Sequence, residues 1–234
     1  MNFAIITAGG IGKRAGLGFN KVFALVRGKP LIWYSLKAFC SASCIDEVVV
    51  IAGSCREDLS LMESIVDFFG FYKVKTVVKG GATRMASIQN GLNAIKGDDN
   101  DWVFIHDGSR PFITGDTLHA LYSEALSMGA AVCGCESVDT IVNVDNNNFI
   151  SGSMERGTIA LIQTPVCARY ADIIKARSKA IEDGYINKDG YEDSTLLYLS
   201  GVSVKVLPIA SYNIKITTQI DLKAADIIAG DFNV

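Results

Sequence analysis

Short apolar runs alternate with stretches of helical periodicity along most of this chain, and that rhythm restricts the fold more than any other feature. Residues 3–7, 48–52, 74–78, 102–106 and 130–135 are apolar runs of strand length. Between them lie four helix candidates at 31–39, 56–69, 85–95 and 117–127. In the second, Leu59, Met62, Ile65, Val66 and Phe69 form one apolar stripe. Pro30 stands where an N1 proline would open the first. Continuously apolar strands that alternate with helices predict an α/β fold. Its sheet is expected to be Rossmann-like and mostly parallel, with helices on both faces.

The rhythm breaks after Cys135. Asp139-Thr140-Ile141-Val142-Asn143-Val144 alternates, 145–148 is a turn signal, and Phe149-Ile150 resumes. This predicts a β-arm over about 137–157 that projects from the sheet. A lone hairpin cannot bury both faces, so the arm is expected to dock on a second subunit as a homodimer. The core pattern is expected to return at 159–162, followed by helices at 170–181 and 194–199 and a strand at 202–207. A last strand at 213–217 and a closing helix at 222–228 complete the reading. No linker, repeat or low-complexity segment interrupts it, so 1–234 reads as one domain plus the arm.

Composition removes several classes of function. The 234 residues are 49% hydrophobic with a formal net charge of −3, which excludes a disordered chain and a general nucleic-acid binder. No apolar run approaches the roughly 20 residues of a membrane helix, and the first residues lack the basic start of a signal peptide. The six cysteines form no C-x-x-C pair, and they read as small buried hydrophobes in a reducing cytoplasm. His106 and His119 are far apart in sequence, which argues against a zinc site.

The chemistry lies in the loops that follow the strands. Thr7-Ala8-Gly9-Gly10-Ile11-Gly12-Lys13-Arg14-Ala15-Gly16 comes directly after the first strand, at the end where open α/β sheets bind ligands. Gly10-x-Gly12-x-x-Ala15 matches a dinucleotide fingerprint in form, the basis of a rival NADP-dependent oxidoreductase reading. However, residues 1–45 contain no Asp or Glu, so the acidic partner for a ribose is missing. The next helix start is Pro30, and no Gly-Lys-Ser/Thr of a P-loop occurs. The acid-free stretch instead carries Lys13, Arg14, Lys21, Arg27, Lys29 and Lys37, a local positive field suited to a triphosphate.

Lys79-Gly80-Gly81-Ala82-Thr83-Arg84 follows the third strand, and Ser87 lies one turn into the next helix. His106-Asp107-Gly108-Ser109-Arg110-Pro111 ends the fourth strand. A carboxylate there suits Mg²⁺, while Arg110 can reach an anion or pair with Asp107. His106 reads as a structural residue rather than a base. In Asn213-Ile214-Lys215-Ile216, strand alternation turns Lys215 opposite to its neighbours, toward solvent or into a cleft.

In order, these segments resemble the cytidylyltransferases that activate sugar or polyol phosphates with CTP. The nearest likeness is to the 2-C-methyl-D-erythritol 4-phosphate cytidylyltransferase family of the non-mevalonate isoprenoid pathway. The ribitol-5-phosphate cytidylyltransferases of teichoic acid and capsule synthesis are close to it. The resemblance implies that Ala8, Gly9 and Gly10 line the nucleotide, and that Arg14 and Lys21 contact its phosphates. It implies Gly81 and Ser87 at cytosine and ribose, with Gly108 nearby, and Arg110 supporting the strand end. Asp107 would sit at a Mg²⁺ (or another divalent cation) and the reacting phosphates. Arg156, Thr164 and Lys215 would face the sugar phosphate, and Thr140 would reach a neighbouring subunit's site.

Some positions depart from the family pattern. Asn20-Lys21-Val22-Phe23 stands for Pro-Lys-Gln-Phe, and Ala82 replaces a common acidic residue. Gly190-Tyr191-Glu192-Asp193-Ser194-Thr195 replaces Thr-Asp-(Asp/Glu)-Ala-Ser, so Tyr191 stands where a small hydroxyl helps hold methylerythritol. The expectation is a CTP-using transferase acting on 2-C-methyl-D-erythritol 4-phosphate, with ribitol 5-phosphate as the alternative acceptor. A non-catalytic nucleotide-binding module is the alternative of another class.

Overall fold

The computed structural model describes residues 1–10, 16–185 and 191–231. β1 (Asn2–Thr7) opens the chain, with Phe3 to Ile6 all buried. β2 (Leu25–Val26) and β3 (Lys29–Pro30) form a short ribbon that turns through Arg27 and Gly28. α1 (Leu31–Ser41) begins directly after Pro30, and β4 (Glu47–Ala52), α2 (Arg56–Phe69) and β5 (Val74–Lys79) follow. Then come α3 (Arg84–Ala94), β6 (Trp102–Asp107), α4 (Gly115–Met128) and β7 (Ala130–Glu136). The arm is the hairpin β8 (Val142–Val144) and β9 (Ile150–Ser153). β10 (Ala160–Arg169), α5 (Tyr170–Glu182), α6 (Asp193–Leu199), β11 (Val204–Pro208) and α7 (Gln219–Asp231) complete the chain.

The helix boundaries have local causes. α2 starts where the Cys55 thiol accepts from the Asp58 amide, with Glu57 and Asp58 in the dipole-favoured first turn. It stops at Gly70, whose φ of 66° suits glycine. α7 starts with a capping box. The Asp221 carboxylate accepts from the Thr218 amide at 2.7 Å, and the Thr218 hydroxyl accepts from the Asp221 amide at 3.2 Å.

The seven-stranded sheet runs in the order β11-β7-β10-β6-β1-β4-β5. Neighbours pair in parallel except at β10, which runs antiparallel to both β6 and β7. Successive side chains of β1 point to opposite faces. Ala4 and Ile6 pack with Leu36 of α1, Met62 of α2 and Leu118 of α4. Phe3 and Ile5 pack with Ile88 of α3, Ile173 of α5 and Leu196 of α6. Each fully buried Ile or Leu here contributes on the order of 1.5–3 kcal/mol relative to an exposed one.

Two expectations need correction. Residues 159–162 do not re-enter the core: Leu161 and Ile162 are 44% and 41% exposed, and burial begins at Gln163. Residues 213–217 are not a strand. Their backbone groups bond to loop and side-chain partners rather than to a ladder, as when the Ile216 amide donates to the Ser109 carbonyl at 2.8 Å. The strand placed at 202–207 is Val204–Pro208.

The six cysteines are free. Burial pushes the thiols of Cys40 and Cys133 up, to about 11 and about 12, as befits small core hydrophobes. That expectation fails for Cys55, which is exposed at the start of α2, and holds only in part for the half-buried Cys44 and Cys135. Among the described residues, no helix is long and apolar enough to cross a membrane.

Candidate active site

β1, β4, β5 and β6 are mutually parallel, so their C-terminal ends share one rim. Register sets Thr7 directly opposite Asp107 there. The loops leaving this rim enclose a cleft of about 630 Å³. Its lining includes Thr7, Gly9, Gly10, Lys21, Gly80, Gly81, Arg84, Ser87, Asp107 and Lys215. Two glycines are required by close approach. A Cβ on Gly9 or Gly80 would stand 2.9 or 2.8 Å from the Ala52 carbonyl oxygen, so both loops seat against the end of β4. The Gly81 amide donates to the Ser87 hydroxyl at 3.0 Å, which closes the turn into α3.

Lys21 reaches this cleft from a 3₁₀ turn, Lys21–Phe23, and is itself only 9% exposed. Asn20 fixes the turn. Its carbonyl oxygen accepts from the Val22 amide, and its amide nitrogen donates to the Ala8 carbonyl at 2.7 Å and to Asp58 at 2.9 Å. Asn20 therefore ties the first loop, the lysine turn and α2 together by hydrogen bonds, at the position where the resembled family carries proline.

Asp107 lies at the floor and is almost wholly buried. Lys215 approaches one carboxylate oxygen at 2.6 Å, and Arg84 approaches the other at 3.4 Å. The Thr7 hydroxyl adds a donor at 3.3 Å. Burial alone would raise the Asp107 carboxyl. Arg84 and Lys215 outweigh it and hold the group well below the usual carboxylate range. Arg84 also bonds Glu192 at 2.8 Å and Asp193 at 3.0 Å. Its loss of solvation is outweighed by Asp193, Asp107 and Glu192, so its own pKa rises. The burial of Glu192 pushes its carboxyl up.

Beneath the floor, Thr164 on β10 accepts from the Asp107 amide at 3.0 Å. Its hydroxyl donates to His106 Nδ1 at 3.2 Å, and His106 Nε2 donates to the Arg110 carbonyl at 3.0 Å. A carbonyl can only accept, so this is the tautomer that satisfies both contacts. Burial depresses the His106 pKa to about 4, so the ring is neutral near pH 7 and structural, as expected. Arg110 Nη1 donates to the Asn213 carbonyl at 2.9 Å, and the Asn213 amide nitrogen donates to Gln163 and Thr164. These bonds carry the chain past the rim so that Lys215 points into the cleft.

The residues expected from the sequence fall into four groups. Gly9, Gly10, Lys21, Gly81, Ser87, Asp107 and Lys215 converge on the cleft. Ala8, Gly108, Arg110 and Thr164 stand behind it: the Ala8 amide donates to Ile51, the Gly108 amide donates to Thr7, and Arg110 and Thr164 brace the floor. Thr140 and Arg156 meet each other on the arm at 3.5 Å, exposed and away from the cleft lining. Arg14 lies outside the described residues. Tyr191 stacks on Tyr185 with centroids 5.0 Å apart and does not line the cleft.

Sequence reasoning assigned no role to Arg84. A cation that opens a helix directly after a glycine loop was the available signal. Among the described residues no group of three acidic, His or Cys side chains forms a metal cluster. Among the described residues, Asp107 is the one acid lining the cleft. One carboxylate is compatible with a hard cation that takes its other ligands from phosphates and water.

An α/β fold with a glycine-lined, cation-bearing cleft at the carboxyl ends of its parallel strands is of the nucleotide-binding kind. Residues 2–231 match the family model described as 2-C-methyl-D-erythritol 4-phosphate cytidylyltransferase. The protein of that name from Clostridium acetobutylicum is 36% identical over 226 residues, covering 97% of this chain and 96% of its own. That from Clostridium tetani is 38% identical over 232 residues, covering 99% and 92%. The crystal structure of 4-diphosphocytidyl-2C-methyl-D-erythritol synthase from Anaerococcus prevotii superposes with a TM-score of 0.84 at 25% identity. The match covers 98% of this chain and 96% of that one. The chain belongs to the 2-C-methyl-D-erythritol 4-phosphate cytidylyltransferase family.

Proposed function

We propose that this protein transfers the cytidylyl group of CTP to 2-C-methyl-D-erythritol 4-phosphate, an activation step in isoprenoid precursor synthesis. The observation that carries the reading is the convergence of Lys21, Arg84 and Lys215 on one cleft around Asp107. Two polyanions must meet in this reaction, and fixed cations offset their repulsion. The acceptor's phosphate oxygen attacks the α-phosphorus of CTP, the bond to the bridging β-phosphate oxygen breaks, and pyrophosphate leaves. The attacking oxygen is already anionic at neutral pH, so no general base is required. A neutral, buried His106 is consistent with that. Catalysis then rests on positioning and preorganised charge.

In this reading, Lys21 and Arg14 hold the triphosphate. Gly9, Gly10, Gly81 and Ser87 seat the nucleoside, with Ala8 and Gly108 supporting them. Lys215 meets the acceptor phosphate. Asp107 would offer an oxygen ligand to a Mg²⁺ ion, which when bound would neutralise phosphate charge. Thr140 and Arg156 act from the arm of a second subunit in a homodimer. Phe149 and Ile150 on that arm, 71% and 73% exposed, with Leu161 and Ile162 at its root, give the apolar surface such docking needs. The working compartment is the cytoplasm.

The test is pyrophosphate release from CTP with 2-C-methyl-D-erythritol 4-phosphate and, separately, ribitol 5-phosphate. Release with the first supports the proposal. Release with only the second assigns the acceptor differently. CTP binding without release with either leaves a nucleotide-binding module. A strictly monomeric species in sedimentation would refute the dimer.

A further inference from the structure

An alternating row of charges runs from the packed interior to the cleft floor. Arg177 on α5 and Asp193 at the start of α6 are each 2% exposed, and neither lines the cleft. Arg177 Nη1 meets one oxygen of Asp193 at 2.7 Å, and the other oxygen of Asp193 meets Arg84 Nη1 at 3.0 Å. Arg84 Nη2 reaches Asp107, which pairs in turn with Lys215. Five side chains of alternating sign are thus linked without a gap.

Arg177 does more than neutralise Asp193. Its Nε donates to Gln89 at 3.2 Å, and its Nη2 donates to the Met85 carbonyl. Both partners belong to α3, and Arg84 is the first residue of that helix. Arg177 therefore grips the start of α3 from behind and fixes the carboxylate that holds the Arg84 side chain. The guanidinium fork makes this possible, since an ammonium cannot span three partners in one plane. Arginine has wide rotamer freedom when unrestrained, and a cation helps a transfer most when its position is set beforehand.

We infer that Arg177 and Asp193 are positioning residues. They hold the Arg84 guanidinium against Asp107 and so fix the Asp107–Lys215 pair for the transfer step. The inference rests on the cytidylyltransferase reading. Without Arg177, Asp193 would keep a buried charge with Arg84 as its remaining ion-pair partner among the described residues, and would draw Arg84 off Asp107. The competing view is that the buried pair only fastens α5 and α6 to α3. That view predicts a loss that is the same whether or not Arg84 is present.

A double-mutant cycle on the full chain separates the two. Arg177→Met, Arg84→Met and the double variant are assayed for pyrophosphate release. Arg177→Met is expected to lower kcat at least about tenfold, as misplacement of a reacting group does. In the Arg84→Met background the further loss is expected to stay below about twofold, the mark of residues acting through one another. Arg177→Lys should recover part of kcat, since it restores the charge but not the fork. Equal fold losses in both backgrounds, or lowered thermal stability with unchanged kcat, would overturn the inference. Should Arg177→Met fail to fold by circular dichroism, Asp193→Asn takes its place in the same cycle under the same criteria. If the wild-type chain turns over no acceptor, the functional reading fails separately. The cycle is then scored on CTP affinity by calorimetry, with coupling and additivity deciding as before.

Discussion

The Lys215 ammonium lies 2.6 Å from the Asp107 carboxylate, although the two residues are brought together from opposite halves of the chain. The pair sets Lys215 at the floor, where the acceptor phosphate is proposed to bind. Lys215→Ala is therefore expected to raise the acceptor KM at least about tenfold and to lower kcat/KM by about 10²–10³, the usual effect of losing a preorganised donor. Steady-state assays at varied acceptor and saturating CTP measure this. An unchanged acceptor KM would remove Lys215 from that role.

Lys21 is held by a turn that Asn20 caps, so its truncation should spare the fold. Lys21→Ala is expected to cost about 10²–10³ in kcat while the far-ultraviolet circular dichroism stays unchanged. A nearly normal kcat with CTP and the correct acceptor would show that Lys21 has no part in the transfer.

Thr164 has two buried partners, the Asp107 amide and His106 Nδ1. Thr164→Val keeps the shape but strands the Asp107 amide and His106 Nδ1, at an expected cost of about 1–3 kcal/mol in stability. Urea denaturation reads the change, and Thr164→Ser should restore most of it. A midpoint equal to the wild type would refute the bonding scheme.

Asp221 ties the end of the Lys215 segment to α7. Burial acts to raise its carboxyl, but hydrogen bonds from Thr217 and Thr218 prevail and lower it below the ordinary value. A carboxyl depressed in the folded state stabilises above its unfolded pKa of about 4, and that contribution fades as pH falls through the folded value. Asp221→Ala is expected to cost about 1 kcal/mol at neutral pH, as loss of a helix cap does, and much less in strong acid. Thermal melts across the acid range would show the gap between variant and wild type closing. A gap that does not change with pH would contradict the capping role.

Elements governed by a single local period were legible in the sequence. α2 was read at its observed ends from its apolar stripe, and Gly70, which stops it, is a signal of the same boundary. The arm hairpin was legible from its alternation and turn residues. β10 was harder, since Pro165 falls in mid-strand and proline argues against a central strand. The observed register shift between Ile162 and Val166 lets Gln163-Thr164-Pro165 leave the ladder and present Thr164 to Asp107. Residues 213–217 have strand-like alternation, yet their bonding was decided by Arg110, Gln163 and Ser109, all distant in sequence. The glycine loops and both lysines of the cleft were visible as residue types. The ion-pair row through Arg84 was not, because its members come from three helices, one strand and the loop of Lys215, all distant in sequence.

β10 connects the arm to the centre of the sheet. The strand begins at the root of the arm and ends deep in the sheet, and Thr164 on its way braces the backbone of Asp107. The root of the arm and the reaction floor thus share one strand. A partner docked at that root would sit on the same continuous strand as the residue that braces the reaction floor.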